Sequence, residues 1–413
     1  MDYEPSSGDS IRIKTEKGVY SGIVMPRHAF SRDDILLIKL DSGYNIGVPI
    51  SEIKDMDILE KAEKRSKSSR YVPKGRGPKI GLISTGGTIA SYVDYRTGAV
   101  HPAVTSEELL FSVPELADIA DIDAKVLFSV LSEDMEPRYW TYMAEEAGKA
   151  LNSGKEGVII AHGTDTMGYS AAALSFALSN LTGPVVFVGS QRSSDRPSSD
   201  ATMNLLSAAR VAASDLGEVA VVMHGETGDE YCLIHRGTRV RKMHTSRRDA
   251  FVSPNSKPIG RATPDGVELN GHRKRSKGAV EVRPDFEEKV ALIYAYPGME
   301  ESVLDSMLSD SKGAVIAGTG LGHIKSSLID TVRAHIKDGK SIVMTSQCLY
   351  GTVNMNVYST GRDLIKAGVI SGGDMLPETA YVKLSWALAN LDEGIGAFMK
   401  KNIAGELGEA RYL

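Results

Sequence analysis

Ile159–Ser170, IIAHGTDTMGYS, decides the fold. An apolar run ends in a polar knot of Gly163, Thr164, Asp165 and Thr166, and small and apolar residues at helical spacing follow in TMGYSAAALSFALSN. A short continuous apolar run bounded by turn formers reads as a strand buried on both faces. A helix directly after such a strand is half of a strand–helix–strand unit. The alternation repeats in both directions. Upstream, KIGLIS and AKVLFSVL read as strands and EPRYWTYMAEEAGKALN as a helix. Downstream, GPVVFVG and EVAVVMH are strands around the helix SSDATMNLLSAARVAAS. This predicts an α/β domain with a parallel sheet covered on both faces, whose ligands bind at the carboxyl ends of the strands. The loops STGGTIAS, LSEDM and HGTDTM all fall at such ends.

A second α/β rhythm starts near Glu288, with KVALIYAY, EESVLDSML, GAVIAGTGLG, SSLIDTVRAHIKDG, SIVMTSQ and PETAYVKLSWALANL. Between the two come IHRGTRVRKMHTSRRDAF and then the turn-rich, basic-tipped SPNSKPIGRATPDGVELNGHRKRSKGAV, the latter reading as a crossover to the second, smaller domain. The first 60 residues differ: Ile11, Ile13, Val19, Ile35 and Leu37 alternate within short Gly-punctuated runs, the pattern of a small SH3-like or Sm-like β-barrel without catalytic residue types. The basic segment after it reads as a linker. The expected division is a barrel at 1–60, a linker at 61–77, a first α/β domain at 78–275 and a second at 288–413.

With 413 residues, 42% hydrophobic and 24% charged, the chain has room for such domains. A net charge of −5 excludes nucleic-acid binding by bulk attraction. Two distant cysteines, Cys232 and Cys348, exclude a zinc ribbon or a Cys-x-x-Cys redox motif and suit reduced thiols in a cytoplasmic protein. The polar start MDYEPSSGDS has no signal-peptide character, and no apolar run reaches a membrane-spanning length.

The loops carry hydroxyls and acids but no Gly-x-Ser-x-Gly elbow and no Gly-Lys-Ser/Thr phosphate-loop ending. In STGGTIAS, Gly86 and Gly87 let the backbone turn and approach a ligand, so nearby N–H groups could stabilise an oxyanion beside Thr85. A threonine hydroxyl attacks only when a group within reach takes its proton. Asp165 alone is too weak a base. Asp165 with a neutral lysine is better suited, and Lys242 stands among Arg239, Arg241 and Arg247, whose charge would favour the neutral amine. Tyr95, in DYRTGAV, lies in a loop able to fold over the site. Taken singly, Thr85, Thr164 and Asp165 read as turn or cap residues, Lys242 as a solvated charge and Tyr95 as a surface aromatic. Two Thr-Gly loops at strand ends of one sheet change that reading.

STGGTIAS and HGTDTM, in this order and spacing, resemble the paired signature of the L-asparaginase/glutaminase family over residues 78 to 413. The resemblance implies an asparaginase-like two-domain core. It makes Thr85 the first threonine and candidate nucleophile, Tyr95 the mobile-loop residue that activates it, and Thr164, Asp165 and Lys242 the second catalytic group, with the order of attack open between Thr85 and Thr164. It implies a substrate-binding set of Gly86, Ser132, Glu133, Gly163 and Asp165. Glu133 stands where bacterial asparaginases commonly carry Gln, and GTGLGH places His323 where they send an Asn to the neighbouring subunit.

The N-terminal module, IHRGTRVRKMHTSRRDAF and TSQCLYGTVNMNVYSTGRDL are similar to the glutaminase (D) subunits of archaeal glutamyl-tRNA(Gln) amidotransferases. That implies glutamine hydrolysis with no cofactor in this chain and a dimer through the asparaginase-like core. It also implies a D₂E₂ assembly whose E subunit uses ATP and Mg²⁺ and handles most of the tRNA contact. The rival readings are a free-standing L-asparaginase and a non-catalytic amino-acid sensor. Direct tRNA binding by the arginines at 236–248 or by HRKRSK at 272–277 is a third.

Overall fold

The structure, a computed structural model, describes residues 5–6, 8–25, 34–40, 45–61, 77–87, 89, 91–93, 100–102, 113, 115–192 and 199–408. Most of the expected linker and the loop bearing Tyr95 lie outside the described residues.

The chain opens with β1 (Ser10–Lys14), β2 (Val19–Val24), β3 (Ile35–Leu40), β4 (Asn45–Pro49) and β5 (Asp55–Glu60). These form one antiparallel sheet in the order β4-β3-β2-β1-β5. Alternation places Ile11 and Ile13 inside with Val24, Leu36, Ile38 and Val48, so this module has a core of its own.

The main sheet follows. Its parallel part uses β6 (Lys79–Ser84), then, past the small ribbon of β7 (Ser91–Val93) and β8 (Val100–Pro102), β9 (Asp121–Val126) and β10 (Gly157–Ala161). Beyond the two-residue β11 (Leu178–Ser179) it adds β12 (Val185–Val188) and β13 (Val219–His224). Next come β14 (Cys232–Arg236), the ribbon of β15 (Arg241–Lys242) and β16 (Phe251–Val252), and then β17 (Gly260–Thr263) and β18 (Gly266–Leu269). The eight-stranded order is β18-β17-β14-β13-β12-β10-β6-β9.

Five strands form the expected parallel sheet, and β14, β17 and β18 add an antiparallel edge to it. The segment read as a crossover folds instead as strands that widen this sheet. Thr-Pro-Asp-Gly at 263–266 supplies the tight hairpin between β17 and β18. AKVLFSVL is also shifted: the strand starts at Asp121 and ends at Val126, where the chain leaves the sheet for the loop before Ser132.

β10 is buried along its whole length. Val158 and Ile160 enter one core with Met143, Ala147 and Leu151 of the helix Pro137–Asn152 and Ala171 and Leu174 of the helix Met167–Ala177. Ile159 and Ala161 enter the opposite core with Leu205 and Ala209 of the helix Ala201–Ala212. Alternation across a two-faced sheet thus explains the unbroken apolar run. Each buried Val, Ile, Leu or Met among them contributes about 1.5–3 kcal/mol by burial. The helix after the knot ends at Ala177 because Leu178–Ser179 pairs with β19 (Glu281–Val282) and Asn180 turns at positive φ.

The second α/β half is the parallel sheet β20 (Val290–Tyr294), β21 (Gly313–Gly318), β22 (Ser341–Ser346) and β23 (Ile370–Ser371), in that order. Helices Glu301–Ser309, Ile329–Lys337 and Ser359–Ala367 cover one face. The helix Pro377–Asn390 covers the other and packs on the helix Met167–Ala177 of the first half.

The connections locate the site. From β6 the chain passes outward to β9, then returns past β6 to β10, and from β10 it moves on to β12 on the other side. Order therefore reverses between β6 and β10, and the crevice beyond their carboxyl ends is the binding position of such a sheet. Thr85 follows β6, and His162–Asp165 follow β10.

Candidate active site

Glycines bring three loops together at that switch point. Gly86 and Gly87 have φ of +108° and +86°. A Cβ on Gly86 would come 2.4 Å from the Val130 carbonyl oxygen, and one on Gly87 2.6 Å from the Gly163 nitrogen. On Gly163 it would meet Ser132 Oγ at 2.3 Å. The loop after β6 thus meets the backbone at Val130 and Gly163 where no other residue fits, and Gly163 packs on the Ser132 side chain of the one-turn 3₁₀ helix Ser132–Asp134.

Thr85 is buried, and its backbone N–H (3.0 Å) and its hydroxyl (2.9 Å) both donate to the Ala161 carbonyl. The β6–β10 register pairs Ser84 with Ala161, so Thr85 stands beside the start of the knot. Ser132, also buried, accepts the Asp165 backbone N–H on Oγ at 3.2 Å, and its carbonyl accepts the Thr166 hydroxyl at 3.0 Å. Thr166 occupies the N-cap position of the following helix yet makes no capping bond. Its hydroxyl is turned to Ser132 and tethers the two loops.

Lys242 closes the group. Its amine donates to Thr164 Oγ1 at 2.9 Å and to Asp165 Oδ1 at 2.8 Å. Its side chain is only 12% exposed, while that of Asp165 is 67% exposed at the start of a helix, where the backbone dipole favours an anion. Short strand β15 orients Lys242 through its pairing with Phe251. The neighbouring arginines do not crowd it, contrary to the sequence expectation. Arg239 pairs with Asp374, Arg241 with Glu378 and Arg247 with Asp249. Each is turned to a carboxylate of its own.

The structure therefore joins Thr164, Asp165, Lys242, Ser132 and Gly163 directly, with Thr85, Gly86 and Gly87 on the adjoining strand end. Glu133 is exposed on the 3₁₀ turn. His323 is turned into its own half: its Nδ1 lies 3.4 Å from Thr360 Oγ1 and its ring meets Tyr358 edge-on. Among the described residues, no cluster of three or more His, Cys, Asp and Glu could hold a metal ion.

Sequence reasoning missed two supports. His162 is fully buried, which pushes its imidazole down to about 4 and keeps it neutral, and its Nδ1 lies 2.6 Å from the Gly163 carbonyl. The second support is a buried polar chain. Asp200 accepts the backbone N–H groups of Gln191 and Arg192, and Asn204 bonds Asp200, the Gly189 carbonyl and His224. His224 and Arg248 both contact Asp229. The only sequence signal was an Asp and an Asn four apart at a helix start.

The two-part α/β core, with its candidate site at the switch point, is of the asparaginase type, as comparison with known proteins shows. Residues 79–275 match the family described as Asparaginase, N-terminal, and 289–394 the Glutaminase/Asparaginase C-terminal domain. The thermostable L-asparaginase from Thermococcus kodakarensis superposes with a TM-score of 0.73 at 32% identity, covering 80% of this chain and 99% of that one. L-asparaginase I from Vibrio cholerae gives 0.71 at 31% identity, covering 80% and 99%.

Residues 6–59, which those asparaginase domains leave unmatched, match the GatD N-terminal domain. The D subunits of glutamyl-tRNA(Gln) amidotransferase from Thermococcus kodakarensis and Pyrococcus furiosus are 55% and 56% identical, each match covering 97% of this chain and 94% of the relative. The chain belongs to the family of glutamyl-tRNA(Gln) amidotransferase D subunits.

Proposed function

We propose that this chain is the glutaminase subunit of a tRNA-dependent amidotransferase and hydrolyses the side-chain amide of glutamine to glutamate and ammonia. The observation that carries the chemistry is the Lys242 amine bonded at once to Thr164 Oγ1 and Asp165 Oδ1. Asp165 and Ser132 hold the charged ends of the amino acid, with Gly86, Gly163 and Glu133 lining its seat.

The Thr85 oxygen attacks the amide carbon, and its proton passes to the group centred on Lys242. Backbone donors near Gly86 hold the oxyanion. Collapse of the tetrahedral adduct breaks the C–N bond, and the amide nitrogen leaves as ammonia with that proton. An acyl-threonine remains. Water, deprotonated by the same group, attacks the acyl carbon; the ester C–O bond breaks, the threonine oxygen takes that proton back, and glutamate is released. The role of activating Thr85 falls to Tyr95. Lys242 bonds Thr164 rather than Thr85, which favours a second assignment in which Thr164 carries the acyl group.

Ammonia is useful to an acceptor only while unprotonated, so a water-poor route leads it to an E subunit. That subunit activates Glu-tRNA(Gln) with ATP and Mg²⁺ and makes most of the tRNA contact, in a cytoplasmic D₂E₂ assembly whose D subunits pair through the asparaginase-like core. The test is ammonia release from glutamine and from asparagine by the full chain, alone and with its partner and tRNA. Thr85→Ala and Lys242→Met should each lower kcat by about 10²–10⁴-fold. A mass increase trapped on the peptide holding Thr85 or Thr164 assigns the nucleophile. Rapid asparagine hydrolysis with no response to tRNA would make the chain a free-standing asparaginase.

A further inference from the structure

Strand β15 presents two consecutive side chains on opposite sides. Lys242 enters the candidate site. Arg241 points away from it and donates to Glu378 Oε2 at 3.1 Å. Glu378 lies in the first turn of the helix Pro377–Asn390, in the second α/β half, and its side chain is only 6% exposed. Burial raises its carboxyl above the usual range, and Arg241 pulls it back. The Tyr294 hydroxyl engages the same guanidinium.

The other arm of the site meets the same cluster. Tyr169, four residues after Asp165, has its phenol raised by burial and by Glu378, with Tyr294, Arg241 and Tyr381 also facing it. Its ring meets Tyr381 edge-on with centroids 6.2 Å apart. The strand carrying Lys242 and the helix start carrying Asp165 thus converge, behind the site, on one buried carboxylate from the other half of the molecule.

We propose that Glu378 is a positioning residue for the amide hydrolysis: through Arg241 it fixes the strand that presents Lys242, and through the Tyr169 cluster the helix start that presents Asp165. Glu378 touches no reacting atom. It sets the distance between Lys242 and its two acceptors, and so ties catalysis to the seating of the second half on the first. The proposal rests on Lys242 serving as proton acceptor.

The experiment is steady-state glutamine hydrolysis by the full chain, alone and with its partner subunit, with the melting temperature of every variant. Glu378→Ala should lower kcat by about 100-fold, since small misplacements remote from the chemistry have that effect, while KM stays within about twofold. Glu378→Gln, which keeps an acceptor for Arg241, should recover about tenfold of that loss. Arg261→Ala, which breaks an exposed ion pair with Glu268 on the β17–β18 hairpin, should leave kcat unchanged.

Where Glu378→Ala fails to fold, the double variant Arg241→Met/Glu378→Leu removes both charges together and avoids an unpaired buried ion. Positioning still predicts a folded protein with reduced kcat. A folded Glu378→Ala or double variant with wild-type kcat overturns the inference. If Lys242→Met abolishes activity while the Glu378 variants are unaffected, only this inference falls. If Lys242→Met retains activity, the mechanistic reading falls first.

Discussion

Within the knot, His162 supplies rigidity rather than a base. Burial keeps its ring neutral, and Nδ1 faces the Gly163 carbonyl. His235, fully buried against Ser253, is likewise pushed down to about 4. In both, the folded pKa lies below the model-peptide value of 6.5, so the unfolded chain takes up the proton first. Their contribution is full above pH 6.5 and is lost as pH falls toward 4. Each shift corresponds to on the order of 3 kcal/mol. Chemical denaturation at about pH 7 and about pH 5 should show the chain losing stability on acidification, and His162→Gln and His235→Gln should each flatten that slope. A wild-type slope in both variants rules this out.

Gly87→Ala tests the same knot by geometry. With φ at +86° and the Gly163 nitrogen 2.6 Å from the new methyl group, the substitution should destabilise by about 1–3 kcal/mol and lower amide hydrolysis with it. Wild-type melting and kcat would show that the loops can separate freely. Of this site, the hydroxyls and Asp165 were legible in the sequence because chemically distinctive residues sat at strand ends, whereas the charge argument that singled out Lys242 does not hold, since each neighbouring arginine has a carboxylate of its own. His162 was not, because a histidine holding the next residue's carbonyl looks the same in a sequence as a histidine of any other role.

Among the elements, parallel strands and their helices were legible because burial on both faces leaves an unmistakable apolar run, as in β10. The antiparallel edge was not. β17 reads Gly-Arg-Ala-Thr with alternate residues exposed, and its pairing with β14 is visible only in three dimensions. The segment after the last long helix was equally opaque. There Lys383 and Glu406 form an ion pair with both side chains fully buried, and the Lys383 amine also meets the Met399 and Lys401 carbonyls. Glu406 in turn accepts the Ile403 and Ala404 N–H groups. The tail so held receives hydrogen bonds from Thr238 and Arg239, just before the lysine strand. Lys383→Met should therefore cost about 3–5 kcal/mol by stranding a buried carboxylate, whereas Lys383→Met/Glu406→Leu should cost much less. Equal melting temperatures for the single and double variants would show that the charges are not coupled.

For the molecule as a whole, two kinds of attachment coexist. The α/β halves share buried polar links: Arg239 with Asp374, Arg241 with Glu378, and the Thr379 hydroxyl with the Thr238 carbonyl. Separating them would strip these charges of the partners they have inside the fold, so the halves should unfold as one cooperative unit. The N-terminal module closes its core from its own strands, with Ile11, Ile13 and Ile38 fully buried among residues of that module. Among the described residues, its removal strips no side chain from the candidate site. A chain starting at residue 77 should keep the melting temperature of the α/β core, and should keep glutamine hydrolysis within about twofold when no acceptor tRNA is present, since surface changes away from a site perturb it little. What it should lose is any increase in hydrolysis seen on adding partner and tRNA, the module's self-contained build suiting a docking element. Ammonia release with and without partner, compared between full and shortened chains, separates the outcomes. A collapse of basal activity would place the module within the catalytic unit, and an undiminished response to partner and tRNA would remove it from the docking surface.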